Sequence, residues 1–263
     1  MTEIHPTAII DKNAKIAENV KIGPYCIIGP DVEIGENNIF ISHCSIVGYT
    51  KIGSGNKFFP FVSVGSPPQD YAFKGTTSYV RIGNGNIFRE GFTVNPGTKE
   101  DSETIIGNYC YFMMNSHVAH NCKVGDRVIM ANCAQLSGYV EVGSNAILSG
   151  LTGVHQFCRI GRFAMMSGGS TISMDLPPFM IASGRNSIVA GVNLVGLKRN
   201  GFPKETINII LDLYKIFFKE GLNTTNAIIK AEQDLPKIPE VIEFIDFVKG
   251  SKKGILNRQK EGR

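Results

Sequence analysis

The sequence predicts a mainly β protein: a left-handed parallel β-helix of hexapeptide repeats over residues 1–190, then a small C-terminal α-helical domain over 191–263. Three observations point to it. An aliphatic or aromatic residue recurs every six positions through most of the chain, small side chains recur four residues after it, and beyond residue 203 the spacing turns helical.

The first run is Ile4, Ile10, Ile16, Ile22, Ile28, Ile34, Phe40, Ile46, Ile52, Phe58 and Val64. A strand alternates every two residues and a helix repeats every ~3.6, so a period of six fits short strands separated by turns. Three such hexads make one triangular coil of 18 residues, apolar side chains inside, and successive coils pair as parallel strands about 4.8 Å apart. Glycine often follows the apolar residue, as at Gly23, Gly35, Gly53, Gly83, Gly107, Gly125, Gly143 and Gly161. Its expected role is in turns of positive φ. The compact slot holds Val20, Val32, Val128 and Ala134. It also holds five of the six cysteines (Cys26, Cys44, Cys110, Cys122, Cys158), which read as buried small hydrophobes rather than ligands or nucleophiles. Cys133 lies one position off and has no assigned role.

Two interruptions break the run. Residues 66–79 contain Pro67-Pro68-Gln69-Asp70, and residues 97–104 contain Gly97-Thr98-Lys99-Glu100-Asp101-Ser102. Loops leaving a rigid solenoid are where binding chemistry concentrates. The period resumes at Ile82, Phe88 and Val94, and from Ile106 it continues to Ile172. It fades through Pro177-Pro178. Pro203 suits a first helical position, after which Ile207, Ile210, Leu211, Tyr214, Phe217 and Phe218 share one face. Two further helices are expected near 224–235 and 239–249, the group packing on itself and capping the open end of the solenoid.

Composition narrows the partners. A net charge of +4, with 19% charged residues and no dense Lys/Arg stripe, gives no indication of nucleic acid. No signal peptide and no membrane span is apparent, so the expected compartment is the cytoplasm, without stable membrane insertion. No cofactor or metal is indicated.

With 18 residues per coil, His120, Gly138 and Gln156 form one column, and His117, Gln135 and Gly153 a second. Ser137 stands under His155, and Tyr139 follows Gly138. A single histidine on a solenoid is commonly a turn residue. Two of them three apart, beside glycines that expose backbone, favour catalysis. Histidine titrates near neutrality and suits a general base, and the N–H of Gly138 could face a developing oxyanion. His117, His120 and His155 also supply the number of ligands that a zinc site across an interface would need.

The segments Asn115-Ser116-His117-Val118-Ala119-His120-Asn121-Cys122, Gly153-Val154-His155-Gln156-Phe157-Cys158 and Gly191-Val192-Asn193-Leu194-Val195-Gly196-Leu197-Lys198-Arg199 closely resemble the acyl-[acyl-carrier-protein]–UDP-N-acetylglucosamine O-acyltransferase family, which begins lipid A biosynthesis. The resemblance extends over essentially the whole chain. It implies a homotrimer with active sites between neighbouring β-helices, an acyl carrier protein as donor and a UDP-sugar as acceptor. His120 is then the base that takes a proton from the sugar 3-hydroxyl, and Gly138 stabilises the oxyanion. The resemblance places Asp70 and His117 on the glucosamine. It places Gln156, Asn193 and Arg199 on the diphosphate side, and Gly168 where acyl length is measured. Lys74, Tyr139 and His155 complete the expected substrate contacts. Arg159, Arg162, Lys198, Arg199 and Lys204 are candidates for docking the acidic carrier.

The chain departs from the family pattern near the sugar. Tyr71-Ala72 follow Asp70 where Leu-Lys is usual, and Tyr139 stands where histidine is common. Val94-Asn95-Pro96-Gly97-Thr98 replaces Ile-His-Arg-Gly-Thr, and Val195 and Asn200 replace an acidic residue and a second arginine. These changes leave a 3-amino sugar as an alternative acceptor. The related N-acyltransferase carries an extra N-terminal domain, whereas hexads here begin at Ile4. Another hexapeptide-repeat acyltransferase and a non-catalytic β-helix scaffold are the remaining alternatives. A pure scaffold gives no reason for Asp70, His120, Gly138 and Gln156 to occur together.

Overall fold

A computed structural model describes residues 1–71 and 73–257. Its strands are mostly two residues long and form three sheets of eleven, nine and eight strands, each sheet taking every third strand of the solenoid. The architecture is the expected left-handed parallel β-helix with helices at the C-terminus. Successive coils pair in parallel at the predicted spacing, for example Lys21↔Ile39 and Ile22↔Phe40, then Gln135↔Gly153 and Leu136↔Val154.

The two-residue strand follows directly from the hexad. Its second residue (Ile22, Ile28, Ile34, Phe58, Val118, Leu148) points inward and is buried, and its first faces outward. The compact slot four residues later is buried as well, including the five cysteines assigned to it. Phe92 is an exception in size. It fills that slot against Phe88 and Phe112, with ring centroids 4.9 and 4.7 Å away.

The glycines after the apolar residue have a different reason from the one expected. Apart from Gly65 they do not adopt positive φ. A Cβ at Gly23 would fall on the carbonyl of Ile41, and one at Gly161 on the backbone of Pro178. Close approach of the next coil excludes a side chain there. Positive φ occurs two residues further on, at the corners, and is mostly carried by other residues: Tyr25 (φ 59°), Phe61 (65°), Asn121 (61°), Tyr139 (60°) and Leu151 (59°) among them. Cys133 is one of these corner residues, at φ 60°.

Stacking turns single residues into ladders. Phe40, Phe58, Phe88 and Phe112 lie face to face, with centroids 4.5, 4.8 and 5.2 Å apart. In the compact slot at one corner, buried Asn38, Asn56 and Asn86 form a ladder of amides. The Oδ1 atoms of Asn38, Asn56 and Asn86 accept from the N–H groups of Asn56, Asn86 and Cys110, each at 2.8 Å. Their Nδ2 groups donate to the preceding amide oxygen, from Asn56 to Asn38 and from Asn86 to Asn56, and to the Gly53, Gly83 and Gly107 carbonyls. An interior polar group must be paired in this way to be tolerated.

The solenoid ends in an antiparallel hairpin, Met180–Ser183 with Ile188–Val192, which extends the first sheet. Its second strand runs through residue 190, so the helical part starts after it rather than at 191. The helices are α1 (Leu194–Arg199), α2 (Lys204–Phe218), α3 (Thr224–Asp234) and α4 (Pro239–Lys249). The hairpin and α1 were not expected, and Pro203 is the N-cap of α2 rather than its first residue. Phe202 covers the last coil through Phe163 and Phe179, and Phe217 meets Phe244 between α2 and α4. No helix of the described residues is long and apolar enough to cross a membrane.

The amide ladder carries a testable cost. Asn86→Ala should lower unfolding free energy by about 1–3 kcal/mol, because it strands the Cys110 N–H in the interior. Asn84→Ala, on the exposed ladder that receives the Ser54 N–H, should change it by only about 0.5 kcal/mol. Urea midpoints compare the two, and equal losses would contradict a special role for the interior amides.

Candidate active site

The two interruptions of the repeat are bound to each other. Asp101 N–H donates to the Thr77 carbonyl (2.9 Å), Thr76 Oγ1 to the Thr98 carbonyl (3.3 Å), and Thr77 N–H to Glu100 (3.2 Å). Buried Asn95 donates to the carbonyls of Ser66 and Pro67, fixing the start of the first loop. Together the loops bring Asp70 and Thr98 over the corner that follows the strand His117–Val118.

His120 lies at that corner, 5% exposed. Its Nε2 is 3.3 Å from Asp70 Oδ2, and its Nδ1 is 3.0 Å from Asn121 Oδ1. The same Asn121 oxygen accepts from Thr98 N–H (3.1 Å) and Thr98 Oγ1 (3.2 Å). A backbone N–H can only donate, so the Asn121 atom facing Thr98 and His120 is its oxygen. Both ring nitrogens thus face acceptors, Nδ1 the Asn121 oxygen and Nε2 the Asp70 carboxylate, and a hydrogen held on Nδ1 leaves the Nε2 lone pair to act as a base.

Gly138 lies one coil above, and a Cβ there would land within the His120 ring. The glycine exists to admit the imidazole. Tyr139, the next residue, stands edge-on to His120 (centroids 5.4 Å, 84°), touches Thr98 Oγ1 with its hydroxyl (3.2 Å) and stacks on Phe157 (4.9 Å). His117 Nδ1 is 2.7 Å from Thr93 Oγ1. Burial pushes the His117 imidazole below its ordinary range, the charge of His120 adds to the fall, and Thr93 opposes it.

Asp70, His117, His120, Gly138 and Tyr139 thus converge. Lys74 is exposed in the loop and donates to the Tyr71 carbonyl (3.0 Å). Gln156 and His155 are exposed one coil above Gly138 and Ser137. Gly168 is exposed at another corner, the one leading from the first sheet to the second, whereas Gly138 leads from the second to the third. Arg199 is exposed in the last turn of α1.

Asn193, read as a diphosphate contact, is buried: it caps α1 by accepting from Gly196 N–H and donates to the Phe163 carbonyl. Two of the expected carrier-docking cations are also engaged internally. Arg159 pairs with buried Asp175 and the Phe247 carbonyl, and Arg162 pairs with Glu243. Lys198, Arg199 and Lys204 remain exposed. Among the departures, Asn200 caps the end of α1, Val195 is exposed, and Ala72 lies outside the described residues. Sequence reasoning missed the work of Thr98 and Asn121. At a corner of positive φ, asparagine is already explained by its backbone, which hides the second use of its side chain.

Comparison with known proteins gives a consistent picture. The model for Udp N-acetylglucosamine O-acyltransferase, domain 2, matches residues 175–256, and that for the bacterial transferase hexapeptide matches residues 1–36, 13–48 and 103–138. An acyl-[acyl-carrier-protein]–UDP-N-acetylglucosamine O-acyltransferase of Thermodesulfovibrio yellowstonii is 47% identical over 97% of this chain and 99% of its own length. The solved UDP-N-acetylglucosamine acyltransferase of Bacteroides fragilis superposes with a TM-score of 0.94 at 40% identity, covering 96% of this chain and 99% of that one. The Francisella novicida enzyme gives 0.95 at 37% identity, over 98% and 95%.

Proposed function

The chain belongs to the acyl-[acyl-carrier-protein]–UDP-N-acetylglucosamine O-acyltransferase family, and from that premise we propose its reaction and the residues that perform it. It moves an (R)-3-hydroxyacyl chain from acyl carrier protein to the 3-position of UDP-N-acetylglucosamine, the first step of lipid A biosynthesis.

His120 is the general base. The observation that carries this is the amide oxygen at Nδ1: Asn121, oriented by the Thr98 N–H, accepts the Nδ1 hydrogen and leaves Nε2 as the atom that takes a proton. Nε2 removes the proton of the sugar 3-hydroxyl as that oxygen attacks the thioester carbonyl of the donor. The tetrahedral intermediate carries its negative charge on the former carbonyl oxygen, which the Gly138 N–H stabilises. Collapse breaks the carbon–sulfur bond, and the departing thiolate takes the proton back from His120. In between, the ring is a cation, with the Asp70 carboxylate 3.3 Å from its Nε2. With acceptor bound, Asp70 turns to a sugar hydroxyl and, with His117, orients the ring. Lys74, Tyr139, His155 and Gln156 line the approach.

Gly168, Arg199 and the α1 region lie on other parts of the chain than the His120 corner. A second copy packed alongside would bring them to it, and this supports a homotrimer with sites between neighbours. Lys198, Arg199 and Lys204 then offer a cationic surface to the acidic carrier.

The native chain should transfer a 3-hydroxyacyl group from acyl carrier protein to UDP-N-acetylglucosamine, and His120→Ala should lower kcat by about 10²–10⁴ with the fold unchanged by circular dichroism. Transfer only to the 3-amino analogue would overturn the acceptor, and full activity of His120→Ala would overturn the base.

Gly168 has ordinary φ, and a Cβ there would meet only the Gly150 carbonyl, at 3.6 Å. Gly168→Met should therefore leave thermal stability unchanged while shifting preference toward shorter acyl chains. Unchanged chain preference would remove Gly168 from the acyl pocket.

A further inference from the structure

After α4 the chain runs Ser251-Lys252-Lys253-Gly254-Ile255-Leu256-Asn257 and returns to the β-helix. What returns it is Asp175, whose side chain is 1% exposed. Its carboxylate accepts from Arg159 N–H (2.8 Å), Arg159 Nε (2.9 Å) and Ser251 Oγ (2.8 Å). Its backbone pairs with the segment on both sides: Asp175 N–H donates to Gly254 (2.9 Å), and Leu256 N–H donates to Asp175 (2.8 Å). Val189 N–H, from the hairpin, donates to the Asn257 carbonyl (3.0 Å). The segment is thus a fixed wall.

Between that wall, the hairpin turn and the outer face of the second sheet lies a cavity of about 500 Å³, lined among others by Gln135, Ser137, His155, Arg185 and Asn257. None of its described lining residues is acidic. Lys253 brings its ammonium to 3.5 Å from His155 Nδ1 at the edge of this cavity, and Thr171, also lining it, hydrogen bonds to the Arg185 carbonyl and fixes the turn. Cationic groups gathered in a concave site without carboxylates favour an anion. The cavity adjoins the reacting centre, since Ser137 precedes Gly138 and His155 precedes Gln156 directly above it.

We propose that this cavity is a phosphate-holding subsite in which Lys253 and Arg185 face a substrate phosphate and His155 donates to it. The subsite rests on the reaction assigned above, whose two substrates each carry phosphate: the diphosphate of the acceptor and the phosphodiester of the donor's pantetheine arm. Lys253 is a binding residue, and the C-terminal segment is part of the site.

The test is calorimetric titration of the intact protein with UDP and, separately, with 4′-phosphopantetheine. Lys253→Met should weaken one of the two by about ten-fold. Lys252→Met, which makes the same charge change on the exposed neighbouring side chain, should weaken neither, and Lys253→Arg should restore binding. A loss confined to UDP assigns the cavity to the acceptor, and a loss confined to 4′-phosphopantetheine assigns it to the donor. If the native protein binds a probe and Lys253→Met binds it equally well, the subsite is overturned while the proposed reaction stands. If the native protein carries out the transfer yet binds neither probe, the subsite is overturned and the reaction stands; if it neither transfers nor binds, the reaction falls and the subsite with it.

Discussion

The rest of this molecule depends on the parallel register between successive coils. Each strand donates its backbone N–H groups to the coil above, so residues a whole coil apart stand directly over one another. A side chain in one coil therefore meets its counterpart in the next, and interactions that repeat along a column are favoured. Phenylalanines stack, amides pass hydrogen bonds along a ladder, and glycines occur where two backbones come too close for a Cβ. Chemistry enters where the column is broken: at the two loops that leave the solenoid and pack on each other.

The same register makes the site. His120 has room only because the residue above it is glycine, and it meets an amide oxygen at Nδ1 because the second loop sets Thr98 against Asn121. The ring is held by packing on one face, by an amide oxygen at Nδ1 and by a carboxylate at Nε2. One of these restraints, Asp70, comes from a segment that interrupts the repeat, and Thr98 of the other such segment orients the amide. A base placed this way needs little rearrangement to act, which is the advantage of mounting reacting groups on a rigid scaffold.

Much of this was legible in the chain. Ile22, Ile28, Ile34 and their successors gave the period, and the period gave the columns that bring His120 under Gly138. Burial of the cysteines followed from the same counting. Where the reading went astray, local pattern and tertiary role diverge. Glycine after the apolar residue reads as a positive-φ turn, yet its cause is the coil above, and the positive-φ corners accept Tyr25, Phe61 and Leu151, which propensity would not choose. Asn193 and Arg159 carry groups suited to ligands, but Asn193 caps the helix that follows it and reaches back to the Phe163 carbonyl, and buried Asp175 holds Arg159. Asn121 is explained by its backbone alone, so its contact with His120 becomes visible only when the loops are folded. The hairpin near residue 185 has no six-residue signal because it is antiparallel.

The central claim is that neutral His120 carries its hydrogen on Nδ1 and offers Nε2 as the base. The most direct test is a ring ¹⁵N–¹H correlation spectrum of the protein at a pH where His120 is neutral, with the signals assigned by loss in His120→Gln. The account predicts a protonated Nδ1 and an unprotonated Nε2, with the preference lost in Asn121→Ala. A hydrogen found on Nε2 of the native protein would contradict it.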